Sequence, residues 1–463
     1  MVSTQVKSFN SGADYLGSSD SVNQGLLPLT ARINAEDHLE IGGCDVISLV
    51  ERFGSPLYIL DEVSLRTACQ QYQEALNKFY GGISQAIYAS KAWNCLAVCG
   101  IVASEGFGFD VVSGGELYTA IQALDKLGIN PQDNVYFHGN NKSISELLLA
   151  IEHNCTIIVD NWAELRQLAA WQDKQVNIML RLTPGIECHT HEYIRTGHLD
   201  SKFGFDPNDL EALFQFVSET SHLNCIGLHA HIGSQIFECQ PHQDLAKLMV
   251  SWQKQALSYG LPITTLNVGG GLGIRYTEQD DPPSIDQWVE LVSKSITSAC
   301  VELGLSLPKL MIEPGRSLIG SSCITAYTIG SSKTVPGIRK YLAVDGGMSD
   351  NPRPITYQSV YRCAIANRMS AALTQEVTVA GKHCESGDIV IHSARLPETE
   401  AGDILVVMAT GAYNYSMASN YNRLPRPAGV IVRDGEANLI LRRETYADLL
   451  NQDLFPERLL EQE

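Results

Sequence analysis

The sequence is short of positive charge, of paired cysteines and of long apolar runs, and each shortage removes a class of function. Lys and Arg number 33 against 52 Asp and Glu, a formal charge of −19. So acidic a chain is a poor match for a nucleic-acid backbone or an anionic membrane, both of which attract basic surfaces, although a local basic pocket for a small anion is compatible with it. The 12 cysteines include no CxxC pair, so reduced thiols are expected. Residues 1–20 mix polar, glycine and charged types without the apolar core of a secretory leader, and a cytoplasmic location is the expectation. The longest uncharged stretch, Ile404 to Asn422, contains Asn414, Tyr415, Ser416, Ser419 and Asn420, too polar a centre for a bilayer span.

What is present is length and a repeated pattern. At 463 residues the chain exceeds the size at which one core stops growing, which predicts two domains. Residues 1–35, rich in Ser, Gly and Asn, read as a partly ordered arm, and no function is assigned to it. From residue 85 short apolar runs alternate with helical patterns: 85–89, 107–112, 135–138, 156–159, 176–182, 225–231, 263–268 and 309–312. Helices are expected between them, for example over 143–153, opened by Ser143 as N-cap, and over 285–303. Eight such units predict a closed (β/α)₈ barrel. Past Cys323 strands follow without long helices, at 324–330, 341–347, 376–381, 403–408 and 429–434, which predicts a C-terminal all-β domain. The early strand LYIL at 57–60 would be a ninth barrel unit and is assigned to that second domain instead. The expected division is an arm at 1–35, a joining segment at 36–60, the barrel at 61–322 and the β domain at 323–463.

Chemistry in such a barrel belongs at the C-terminal ends of the strands, and that is where the notable residues fall. Lys91 follows the first strand, Asp110 closes the second, His231 closes the sixth, GGGLG (269–273) follows the seventh, and Glu313 to Arg316 follow the eighth. A lysine emerging from a buried strand is expected to have a lowered pKa and to serve as a Schiff-base nucleophile, whereas most lysines are solvated surface groups. GGGLG lacks the GxGxxG spacing of a dinucleotide fold, and its plainer use is close approach of backbone N–H groups to a phosphate; a turn that only accommodates helix packing is the alternative. EPGRS (313–317) offers a carboxylate and a guanidinium, or on the plainer reading a surface ion pair. HAH (229–231) and HTH (189–191) suggest zinc, but no third ligand stands out, so core or stacking histidines are preferred and no metal is predicted. Cys384, in GKHCESGD, is expected to be exposed.

Taken together, YASKAWNC (88–95), FDVVSGGEL (109–117), FHGNNKS (137–143), HTHEYIRTGHLDSKFGFD (189–206), HAHIGSQI (229–236), NVGGGLGI (267–274), EPGRS (313–317), DGGMSDNPRPITY (345–357), CESGD (384–388) and GAYNYSMASNYN (411–422) resemble the diaminopimelate decarboxylases. These belong with the alanine-racemase-like, fold type III enzymes that use pyridoxal 5'-phosphate (PLP). The resemblance runs in order from Tyr58 to Arg426. It implies PLP as cofactor, meso-diaminopimelate as substrate, L-lysine and carbon dioxide as products, and a homodimer with shared active sites. Lys91 would carry PLP as a Schiff base. His231 would stack on the pyridine ring and Glu313 bind its nitrogen, with Asp110 also a cofactor residue. Ser234, the glycine loop with Gly270 and Gly271, and the backbone of Pro314, Gly315 and Arg316 would hold the phosphate. Arg316, Arg353 and Tyr357 would bind the distal end of the substrate, with Tyr413 touching substrate and cofactor. Cys384 would be the proton donor and Glu385 a substrate ligand, both from the partner subunit.

The segment departs from the commonest family pattern at Trp93, where many members have Asn, which leaves the packing beneath Lys91 open. Competing readings are a decarboxylase of ornithine, arginine or carboxynorspermidine, which CESGD with the paired Arg353 and Tyr357 disfavours; a PLP racemase, which would need a second base; and a PLP-binding regulatory protein, which would resemble the barrel alone.

Overall fold

A computed structural model describes residues 9–17, 19–186 and 200–460. The HTH motif at 189–191 and the rest of 187–199 lie outside the described residues.

The first strands, β1 (Arg32–Ile33), β2 (Leu39–Ile41) and β3 (Cys44–Asp45), form a small antiparallel sheet, and β4 (Leu57–Asp61) follows. The next eight are β5 (Ser84–Ala89), β6 (Gly108–Val111), β7 (Val135–Phe137), β8 (Thr156–Val159), β9 (Val176–Arg181), β10 (Leu223–His229), β11 (Thr265–Asn267) and β12 (Lys309–Ile312). They pair in parallel around a closed ring, shut by the register Leu310↔Ser84, Met311↔Gln85 and Ile312↔Ala86. The predicted eight-unit barrel is therefore present. Helices at Ile144–Glu152 and Ile285–Leu303 occupy two of the expected crossovers; Ser143 and Ser284 cap them, each accepting from the N3 backbone N–H.

A mostly antiparallel sheet follows: β13 (Cys323–Val335), β14 (Arg339–Val344), β15 (Cys363–Ile365), β16 (Gln375–Ala380), β17 (Ile389–Leu396), β18 (Ile404–Val407), β19 (Ala428–Arg433) and β20 (Glu436–Leu441). Into its middle comes β4, antiparallel to β13 and parallel to β19, with all five of its residues buried. β15, β17 and β20 had no counterpart in the sequence pattern. In β20 most side chains are at least partly exposed, and in β17 bulges break the alternation that a period-2 reading needs.

Inside the barrel, Ile87, Tyr136, Ile158, Met179 and Met311 pack into an apolar plug. Side chains on a strand alternate, so the residues two further along share the lumen face. Those positions, from β5 to β12, are Ala89, Asp110, His138, Asp160, Arg181, His229, Asn267 and Glu313. All but the first are polar, and all are buried. The apolar plug thus ends at a nearly complete polar ring at the C-terminal mouth.

Candidate active site

Glu313 is the hub of the ring. Its carboxylate accepts from Asn267 Nδ2 at 2.7 Å and from His229 Nε2 at 3.2 Å, and His138 Nε2 lies 3.0 Å away. Burial opposes its charge, but the two imidazoles outweigh burial and hold the carboxyl well below the usual carboxylate range. Burial in turn pushes the His229 pKa down to about 4, so near neutral pH it is an uncharged hydrogen-bond donor. Each of His138, His229 and Glu313 offers a ligand atom within 4.8 Å of the others, a cluster that takes His229 but not His231 from the HAH motif. Burial also raises the Asp110 carboxyl, and Asp110 lies 3.6 Å from His138. Arg181 faces Asp160 at 3.7 Å and stacks its guanidinium on Phe203 at 4.3 Å.

Above the ring opens a cavity of about 390 Å³, whose wall includes Lys91, Asp110, His231, Ser234, Gly271, Glu313, Gly315, Arg316, Arg353, Tyr357 and Tyr413. Sequence positions that span more than three hundred residues meet here. Lys91 sits in a 3-10 turn directly after β5, exposed and on the wall of this cavity. The expected lowering of its pKa is not what the structure gives. Burial does lower it, but Asp110, Tyr413 and Glu313 together outweigh burial and carry the ammonium above its ordinary value. Trp93 is fully buried against Tyr58 (5.7 Å, edge-on) and Tyr415 (5.5 Å), which answers how the bulky residue beside Lys91 packs.

β10 ends at His229, so His231 lies just past the strand rather than closing it. Burial, with Lys91 nearby, holds the His231 imidazole well below its ordinary pKa. The glycine loop has no space for side chains: a Cβ on Gly269 would stand 2.7 Å from His231 Nδ1, and one on Gly270 would stand 2.2 Å from the Glu313 carbonyl. Gly270 N donates to His231 Nδ1 at 3.4 Å, and the Pro314 carbonyl accepts from Ala89 N at 3.1 Å. Arg316 donates to Ser234 Oγ through Nε (3.1 Å) and Nη2 (3.0 Å). A bare-backbone cradle beside a serine and a guanidinium fits a phosphate. The lysine, the anionic hub and this cradle together fit PLP.

Two arginines occupy the far side. Arg353 is buried, its Nε has no hydrogen-bond partner, and neither it nor Arg316 forms an ion pair with a described carboxylate. Tyr413 holds a left-handed backbone (φ +73°), fixed by its N–H donating to the Ala92 carbonyl at 2.7 Å, and its ring lies under Arg316 at 4.9 Å. Cys384 and Glu385 are absent from this cavity wall. They are exposed on the turn between β16 and β17, where Asp388 accepts from Met348 N (2.7 Å) and from His383 N (2.9 Å), and Cys384 N donates to Asn422 Oδ1 at 2.9 Å.

Sequence reasoning passed over His138, Arg181, Asn267, Lys202 and Phe203, the last two of which also line the cavity. His138 and Arg181 were findable by counting two residues on from the lumen-facing Tyr136 and Met179, and Asn267 by the same count from Thr265. The other two lie between β9 and β10, where no period applies.

Residues 63–320 match the family described as pyridoxal-dependent decarboxylase, pyridoxal binding domain. The chain is 63% identical to the diaminopimelate decarboxylase of Synechocystis sp. over 99% of its own length and 100% of that protein's, and 46% identical to that of Bacillus subtilis over 92% and 97%. The structure of the M. jannaschii diaminopimelate decarboxylase in co-complex with L-lysine superposes with a TM-score of 0.85 at 31% identity, covering 93% of this chain and 99% of that one. Among the described residues no helix is long and apolar enough to cross a membrane. A lysine-bearing barrel mouth with a carboxylate hub, a glycine cradle and matches of this length agree on one conclusion: the chain is a PLP-dependent enzyme and belongs to the diaminopimelate decarboxylase family.

Proposed function

We propose that this chain removes one carboxyl group from meso-diaminopimelate to give L-lysine and carbon dioxide, with Lys91 as the covalent anchor of PLP. The observation that carries the reading is the single cavity in which Lys91, Glu313 and the glycine cradle face Arg316 and Arg353. PLP, when bound, supplies the electron sink for the carbon–carbon cleavage.

The protein orients and tunes. Glu313, kept ionised, binds the ring nitrogen and favours its protonated form, while neutral His229 and Asn267 fix the carboxylate. His231, on the cavity wall, would pack against the ring. Ser234, Gly270 and Gly271 take the phosphate with the 314–316 backbone, and Asp110 lies close enough to Lys91 to shape its charge. Arg316, Arg353 and Tyr357 bind the substrate's distal carboxylate, whose charge compensates the unpaired guanidiniums. Tyr413 packs beside both ligands.

Cys384 protonates the carbon from which carbon dioxide has left, and Glu385 accepts from the distal ammonium. Their exposure, and their absence from the chain's own cavity wall, support delivery from a second copy in a homodimer. Ile355 and Val360, which flank Tyr357, are 42% and 55% exposed and give that contact an apolar component.

The test is incubation of the protein with PLP and meso-diaminopimelate, following carbon dioxide and lysine, with Lys91→Ala as control. Lysine release that disappears in the variant is the expected result. Release of D-amino acid without gas would identify a racemase, and equal turnover of lysine or ornithine would identify a basic-amino-acid decarboxylase.

A further inference from the structure

The two arginines assigned to the distal carboxylate do not stand free. Arg316 Nη1 donates to the Tyr276 phenol oxygen at 2.7 Å, and Arg353 Nη1 donates to the same oxygen at 2.9 Å. Arg353 Nη1 also donates to Tyr361 at 2.6 Å, and the Tyr361 ring meets the Tyr276 ring edge-on at 5.3 Å. One phenol therefore bridges two guanidiniums that repel each other. Each spends a single nitrogen on that bridge, which leaves the Arg353 Nε edge without a partner.

Tyr276 is itself held firmly. It is buried, its backbone N–H donates to Asp280 Oδ2 at 2.9 Å, and the neighbouring Arg275 N–H donates to the Asn23 carbonyl at 2.9 Å. Asn23 Nδ2 donates to Gly273 O at 3.1 Å and Pro283 O at 2.9 Å, so a residue of the N-terminal arm clamps the loop that carries Tyr276 on both sides.

We infer that Tyr276 is the positioning residue for distal-carboxylate recognition: by bridging Arg316, which Ser234 anchors through Nε and Nη2, to Arg353, it fixes where the unpartnered Nε edge of Arg353 stands relative to the second guanidinium, and so sets the preference for substrates with a second carboxylate. This rests on the arginines binding that carboxylate. An Arg353 guanidinium without a fixed position would lose the aligned donors that a planar carboxylate requires.

The distal carboxylate survives the reaction, because decarboxylation at one end of diaminopimelate leaves the other amino-acid end intact as that of lysine. L-lysine therefore probes the distal site and cadaverine, which has no carboxylate, is its control. In the PLP-loaded enzyme, Tyr276→Phe keeps the ring and removes the acceptor. Calorimetry is expected to show L-lysine bound about ten-fold or more weaker and cadaverine unchanged within about two-fold. The KM for diaminopimelate should rise by a similar factor, with kcat held within about three-fold.

Equal changes for lysine and cadaverine, or none for either, would overturn the role of Tyr276. Arg353→Met separates the two layers of argument. If it weakens lysine while Tyr276→Phe does not, only the positioning role fails; if it leaves lysine affinity intact, the distal-site reading fails with it. Should the Phe variant not fold, as judged by thermal melting, Tyr276→His is read on the same lysine-to-cadaverine ratio.

Discussion

The two ends of the active-site cavity are built on opposite plans. At the cofactor end, charge is carried by buried carboxylates on barrel strands and surrounded by imidazole and amide groups, so Glu313 meets Asn267 and His229 at hydrogen-bond distance before any ligand arrives. At the distal end, charge is carried by guanidiniums outside the strands, whose partners are phenols, with Arg316 also reaching back to Ser234 of the phosphate cradle. The first end is internally balanced. The second is left positive, and an unpaired buried cation is costly unless an anion arrives. The difference separates a group that tunes a resident cofactor from a group that waits for a substrate.

If that contrast is right, substitutions at the two ends should fail in different ways. Glu313→Gln keeps the hydrogen-bonding shape but removes the charge. Its expected effect is the largest: kcat lower by about 10²- to 10³-fold, with PLP still bound by absorbance and KM little changed. Unchanged turnover would remove the tuning role. Arg353→Met should leave the cofactor spectrum alone and raise the KM for diaminopimelate by about 10- to 100-fold. A loss confined to kcat would erase the contrast.

A third experiment asks whether the cavity is finished by another subunit. Lys91→Ala and Cys384→Ala proteins, each inactive or nearly so, are mixed and reassembled. Shared sites predict recovery of up to roughly a quarter of wild-type activity, since half of the dimers are mixed and each has one intact site. No recovery, with mixed dimers demonstrated, would place Cys384 in the service of its own chain.

The smallest effect on turnover is expected at Asp350, on the loop that leads to Arg353. Burial raises its carboxyl to about 7, and it accepts from Tyr327 and from Gly347 N. The folded pKa exceeds the unfolded one, so its contribution to stability is full below about pH 4 and is lost as pH rises through about 7. Asp350→Asn should therefore flatten the fall in melting temperature between pH 5 and pH 8, and an equally steep fall would discard that assignment.

The barrel was legible because its strands are short apolar runs at regular intervals, and Lys91, the glycine loop and Glu313 were legible because each directly follows such a run. The supporting ring was harder. His138, Arg181 and Asn267 look like ordinary polar residues until the pairing register shows which face they share with Tyr136, Met179 and Thr265. Tyr276 was illegible for a different reason. Its importance lies in bridging Arg316 and Arg353, two residues 37 apart in sequence, and no local period encodes a three-body contact. The direction of the Lys91 shift also escaped, because burial was weighed without the acids around it.

The central place of β4 in the second sheet has a consequence for how the chain is made. All five of its residues are buried between β13 and β19, yet they leave the ribosome long before either neighbour is synthesised. At ordinary translation speeds the wait is on the order of tens of seconds, during which the barrel can assemble while an apolar strand with two open edges stays unpaired. A nascent chain halted at residue 322 would then carry the polar ring and Lys91, still without Arg353, Tyr357 and Tyr413, and a sticky segment at once. The same strand that ties the two domains together in the mature protein makes the half-made one a client for chaperones.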